Sequence, residues 1–167
     1  MEQKKPKKSL PGKRVSIIRT MTVREGSLLY GNRRICSPKE AAEWMMPLVQ
    51  SADKEYVIVC CLDGKSQPVS IEKVAVGTVN QCLMGMREVY KNAVLCSAAA
   101  IIVFHNHPSG DVNPSASDIQ VSEKMREAGM LLDIEVLDHI ILGDGQYYSI
   151  AEELNWRSWN ESVDKIA

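Results

Sequence analysis

The sequence predicts a single α/β domain: one mixed, mostly antiparallel sheet flanked by helices. Three observations lead there. The apolar runs alternate between the strand period and the helix period along the chain, the order expected of a layered α/β structure. The length of 167 residues suits one domain and is enough to bury a core without disulfides. The hydrophobic fraction is 45% and the charged fraction 25%, the balance of a globular protein.

The elements follow in order. Residues 1–14 hold six basic side chains (Lys4, Lys5, Lys7, Lys8, Lys13 and Arg14) against Glu2 alone, broken by prolines and a glycine. They predict a disordered basic tail, leaving 15–167 as the domain. Val15–Ile18 and Leu28–Tyr30 are short apolar runs of strand type. Ser37, Pro38 and Glu40 then form a helix start, with a capping serine, a proline in the first turn and an S-x-x-E box. Ala41, Trp44, Met45, Leu48 and Val49 continue it at helical spacing, and Pro47 should kink or shorten it. Glu55–Leu62 and Pro68–Thr78 predict a hairpin turned at Asp63-Gly64-Lys65. Met86, Val89, Tyr90, Ala93 and Val94 share one helical stripe within 86–97. Ala99–Phe104 is a continuous apolar run of buried-strand type. Ser115–Ala128 predicts a helix stopped by Gly129. Leu131–Leu142 reads as one or two strands, Gly143-Asp144-Gly145 as a turn into Gln146–Ile150, and 151–167 as a short helix.

Several classes are excluded or disfavoured. The 20 basic and 21 acidic residues give a net charge of -1, which argues against strong non-specific nucleic-acid binding by the whole surface. Outside residues 1–14 the chain holds 14 basic and 20 acidic residues, so any DNA affinity would rest on the tail and fall steeply with salt. No apolar run approaches the roughly 20 residues of a membrane span, and the basic start has no apolar stretch of a secretory signal. The five cysteines (Cys36, Cys60, Cys61, Cys82 and Cys96) show no C-x-x-C spacing. They read as reduced thiols of a cytoplasmic protein, Cys60 and Cys61 serving as small hydrophobes.

The chemistry gathers after the Ala99–Phe104 strand, in HNHPSGDVNPSASD. His105 and His107 stand at i and i+2, which on a strand puts both imidazoles on one face. Paired neutral imidazoles suit a borderline divalent cation such as Zn²⁺. The Pro108-Ser109-Gly110-Asp111 turn can send the chain back past the strand end. Asp118 then falls in the first turn of the next helix, where it could supply a third ligand and leave a fourth position for water. The same Ser115-x-x-Asp118 is also a good helix N-cap that needs no metal. Asp111 suits a turn-stabilising role. His139, beside Asp138 in an apolar run, is by default a hydrogen-bonded core histidine, with a role behind the metal ligands as the alternative.

The combination resembles the JAMM (MPN-plus) metalloprotease motif, H-x-H followed by seven residues and then S-x-x-D. His105, His107, Ser115 and Asp118 match it without gaps. The full string, with GTVN at 77–80, REVY at 87–90 and LDHIIL at 137–142, looks like the RadC branch of that superfamily over residues of about 36 to 150. The resemblance implies a JAB/MPN fold of cytidine-deaminase-like architecture. It implies His105, His107 and Asp118 as zinc ligands and Ser115 as a hydrogen-bond donor to the oxyanion or the water. It also implies a glutamate base on the strand after the first helix. Glu55 occupies that place. Its plainer reading is an exposed acid at a strand start, and Glu88 is the runner-up. The implied activity is zinc-dependent hydrolysis of a peptide or isopeptide bond in a peptide or protein substrate. The competing class is a non-catalytic DNA- or protein-binding module associated with DNA repair. Longer RadC relatives begin with a helix-hairpin-helix module. The sequence shows only the basic tail in its place, which weakens a DNA role. It specifies neither the substrate nor the oligomeric state.

Overall fold

The computed structural model describes residues 14–31, 34–77, 84–156 and 159. The predicted basic tail lies outside them except for Arg14. Helix α1 spans Pro38–Val49. Strands β1 (Glu55–Leu62) and β2 (Pro68–Gly77) form the predicted hairpin. Helix α2 (Met86–Leu95) and strand β3 (Ala100–Asn106) follow. The chain ends in α3 (Ala116–Leu132), β4 (Glu135–Gly143), β5 (Gln146–Ser149) and the short α4 (Ile150–Glu153). The strand order is β2-β1-β3-β4-β5. Only β3 and β4 run parallel, α3 being the crossover between them; the other neighbours are antiparallel.

Alternation divides the sheet into two buried layers. Ile58, Cys60, Leu62, Ile102, Phe104, Ile140 and Leu142 pack beneath Ala41, Ala42 and Met45 of α1. Val57, Val59, Cys61, Ile101 and Val103 face the other way, against Val89, Tyr90 and Ala93 of α2 and Met125 of α3. The α2–α3 layer is locked by the Tyr90 hydroxyl, which donates to the Met125 carbonyl at 2.6 Å. Cys60 and Cys61 are fully buried apolar fillers, as expected. Burial pushes both thiols up, Cys61 to about 12.

Strand β4 carries an irregularity with consequences for the site. Ile101 pairs with Val136, but Ile102 pairs with Asp138, so Leu137 is an extra residue in the ladder. A bulge of this kind re-aims every side chain beyond it. Simple alternation from Val136 would turn His139 toward α1. The bulge instead sends Asp138, Ile140 and Leu142 to the α1 layer and His139 to the α2–α3 layer, level with Val103.

Two expectations are corrected. Val15–Ile18 and Leu28–Tyr30 are not strands: residues 14–31 have no ladder among the described residues, and Val15 and Leu29 remain 89% and 90% exposed. Apolar alternation makes a strand only where a partner edge is offered. Pro47 sits in the last turn of α1, and the helix ends two residues later at Val49, with Gln50 N–H donating to Met46 O at 3.0 Å. Gly129 does not stop α3. The helix continues to Leu132 and is capped by Asp133 in the left-handed region (φ 54). Gly129 is required by crowding instead, since a Cβ there would lie 2.4 Å from Ile134 O and 2.8 Å from the Tyr90 hydroxyl oxygen. Within the predicted 151–167 helix the described residues show α4, which reaches Glu153, and a helical Trp159 buried against the α1 layer; residues 157–158 and 160–167 lie outside the described residues.

Candidate metal centre

Strand β3 delivers His105 as its penultimate residue, buried at 6% exposure, and His107 stands just past its end. The ladder reaches one bond further, His107 N–H donating to Leu142 O at 2.9 Å. The chain then turns back at once. Gly110 N–H donates to His107 O at 3.0 Å. The Asp111 carboxylate accepts from Asn113 N–H and from the Asn113 amide, the turn-stabilising role expected of it. The turn lies hard against the end of β4: a Cβ on Gly143 would stand 2.7 Å from Gly110 O.

Ser115 caps α3. Its hydroxyl oxygen accepts from Asp118 N–H at 3.2 Å, and the Asp118 carboxylate accepts from Ser115 N–H at 2.7 Å and from the Ser115 hydroxyl at 2.6 Å. The capping and metal readings of this motif are therefore not rivals. The cap holds the Asp118 carboxylate over the end of β3. His105 Nε2 lies 3.6 Å from Asp118 Oδ1, His107 Nε2 lies 3.9 Å from Oδ2, and the two Nε2 atoms are 2.7 Å apart. One donor atom from each of the three residues falls within 4.8 Å of the others, a group that could hold a metal ion.

The protonation pattern fits a cation. His107 Nδ1 lies 2.5 Å from Asp111 O, which can only accept, so Nδ1 carries a proton and Nε2 is the atom turned toward His105 and Asp118. Burial holds His105 down at about 4, and burial pushes His139 well below its ordinary value, so both rings are neutral at pH 7. Neutral imidazoles and a carboxylate aimed at one point are the donor set of a borderline divalent cation.

Comparison with known proteins bears on the same residues. The family model described as RadC-like JAB domain matches residues 35–156. The chain belongs to the RadC-like JAB domain family. A UPF0758 protein of Methanosarcina barkeri is 48% identical over 121 residues, covering 72% of this chain and 53% of that one. A UPF0758 protein of Clostridium acetobutylicum is 44% identical over 120 residues, covering 72% and 52%. One of Pelobacter propionicus is 41% identical over 128 residues, covering 77% and 56%. The chain thus spans about half the length of the curated relatives it matches. No helix among the described residues of this RadC-like JAB domain is long and apolar enough to cross a membrane.

The other predicted residues of the JAB domain fall as follows. Glu55 begins β1, half-buried. It is two residues before Val57, which pairs with His105, so by alternation Glu55 lies on the His105 face. Asn106 fastens this strand start. Its amide oxygen accepts from Tyr56 N–H at 2.8 Å and its amide nitrogen donates to Lys54 O at 3.0 Å. Glu88 is exposed on α2 and paired with Lys91 at 2.7 Å. His139 is both buried and hydrogen-bonded, Nε2 to His105 Nδ1 at 2.8 Å and Nδ1 to Ser122 Oγ at 2.6 Å. Ser122 and Asn106 were not singled out from the sequence. Ser122 had one signal, a hydroxyl one helical turn after Asp118. A groove of about 370 Å³ adjoins His107 and is bordered by Met46, Gln50, Gly110 and Asp144.

The buried imidazoles predict a pH response of the metal-stripped protein. The unfolded chain takes up protons near pH 6.5, whereas folded His105 does so only near 4, and His139 shifts the same way. Their contribution is present above pH 6.5 and is lost as pH falls from 6.5 toward 4, with a slope of up to about 1.4 kcal/mol per pH unit for each ring. Buried Asp138, raised to about 6, opposes them over part of this range. The urea midpoint in chelator should fall between pH 7 and pH 4.5. A midpoint that holds or rises would mean the imidazoles charge within the fold.

Proposed function

We propose that this RadC-like JAB domain is a zinc-dependent hydrolase that cleaves a peptide or isopeptide bond with a metal-activated water. The observation that carries the reading is the convergence of His105 Nε2, His107 Nε2 and the Asp118 carboxylate at the end of β3. A zinc ion held by these three residues supplies a Lewis acid and a water whose pKa falls to about 7.

The remaining work belongs to the chain. Glu55, on the His105 face of β1, takes a proton from the water and returns it to the leaving amine. Asn106 keeps the strand start that bears Glu55 at a fixed height beside the histidines. Ser115 donates to the developing oxyanion. To do so its hydroxyl turns away from Asp118 Oδ2, which keeps the Ser115 N–H as a donor and stays oriented. The groove beside His107 offers room for an extended peptide next to the reacting bond. A reducing cytoplasm suits the free thiols Cys60, Cys61 and Cys96.

The test is elemental analysis of protein purified without added metal, run beside a screen of peptide and isopeptide substrates. About one zinc per chain and chelator-sensitive hydrolysis are expected. A protein that holds no metal and cleaves nothing, yet binds DNA or a protein partner, would replace the enzyme with a binding module.

A further inference from the structure

All three histidines of the chain meet at this site, yet only two of them converge on Asp118. The third, His139, is fully buried and touches His105 on one side and Ser122 on the other. Ser122 in turn donates to the backbone carbonyl of Asp118 at 2.6 Å. The contacts thus run from the ring of one convergent residue to the helix turn that carries another.

The direction of this chain follows from its last member. A carbonyl oxygen only accepts, so the single Ser122 proton goes to Asp118 O. Ser122 Oγ must then accept from His139, which places the His139 proton on Nδ1. A neutral imidazole carries one proton, so His139 Nε2 is bare and accepts from His105 Nδ1–H. His105 Nε2 is left bare, with its lone pair facing the Asp118 carboxylate.

We propose that His139 and Ser122 are positioning residues that fix the proton of His105 on Nδ1 and aim its Nε2 at the metal position. This rests on the metal reading above. The relay reaches across the sheet from β4 because the bulge at Leu137 turns His139 to this layer. It also ties the height of α3, and so of Asp118, to the ring of His105. A partner that fixes the tautomer of a histidine ligand raises its basicity and orients its ring, and losing one typically costs 10- to 100-fold in metal affinity.

The test has a part that needs no metal. Side-chain ¹⁵N NMR of the metal-stripped wild-type chain at pH 7.5 has only three imidazoles to assign. His105 and His139 should both be Nδ1–H tautomers. Finding His105 as Nε2–H overturns the relay. The second part is zinc affinity by chelator competition, with the cobalt(II) absorption spectrum as a geometric readout. His139→Leu should weaken zinc by about 10- to 100-fold and alter the cobalt spectrum, while His139→Gln, which can accept from His105 and donate to Ser122, should recover most of the loss. Ser122→Ala should weaken zinc by about 10-fold. A folded His139→Leu with wild-type affinity and spectrum overturns the proposal while leaving the metal site intact. A wild-type chain that binds neither ion overturns the metal reading itself, and the role assigned to the relay falls with it.

Discussion

Replacing Glu55 by glutamine is expected to leave zinc content unchanged and to lower hydrolysis by roughly 10²- to 10⁴-fold. That corresponds to about 3–5 kcal/mol of lost transition-state stabilisation. Glutamine keeps the shape of the side chain but cannot take a proton from water. Zinc should remain, because Glu55 is not among the convergent donor atoms. The control is Glu88→Gln on α2, whose exposed carboxylate pairs only with its neighbour Lys91 in the described contacts. It should be indistinguishable from wild type. The reverse pattern, with Glu88→Gln inactive and Glu55→Gln active, would place the base on the wrong element.

The second large effect is expected of His107→Ala, which should take zinc from about one per chain to near none and abolish hydrolysis with it. Only His105 and Asp118 would remain, too few protein donors for a site that leaves one position to water. The fold should survive, since His107 stands at the rim of the sheet and its ring contacts are with His105, Asp118 and the Asp111 turn. Thermal unfolding separates the two effects. Wild type should gain about 2.7 kcal/mol in zinc at 100 times its dissociation constant, and the variant should gain nothing at the same concentration. A His107→Ala protein with full zinc content would remove His107 from the ligand set.

The site was legible in the sequence because it is local. His105, His107, Ser115 and Asp118 lie within fourteen residues, and strand period, turn chemistry and capping pattern each place one part of it. The two hairpins were legible for the same reason, β1–β2 and β4–β5 each turning at an Asp-Gly step. What could not be read depended on residues distant in the chain. Gly129 looked like a helix stop because its actual constraint, the Ile134 carbonyl and the Tyr90 hydroxyl, comes from other elements. The apolar alternation of Val15–Ile18 looked like a strand because local pattern carries no information about whether an edge is available. Ser122 was invisible because its meaning lies in a contact with β4. His139 could be assigned two roles but not a direction, since no periodicity foretells a bulge.

That bulge has a bearing on how the chain avoids a wrong fold. Beyond Leu137 the strand places two buried polar side chains back to back. Asp138 accepts from the Ser149 hydroxyl at 2.6 Å and from Ala151 N–H at 3.0 Å at the start of α4, while His139 faces His105 and Ser122. A slip of one residue between β3 and β4 would exchange the two faces. The carboxylate would enter the layer of imidazoles and the imidazole would enter the apolar layer under α1, both losing their partners at a cost of roughly 1–3 kcal/mol each. The flanking Leu137, Ile140, Ile141 and Leu142 are apolar on both faces and would tolerate the slip far better. The adjacent Asp138 and His139 therefore act as a built-in error check on strand alignment, and the misaligned chain is rejected through the same imidazole that touches His105.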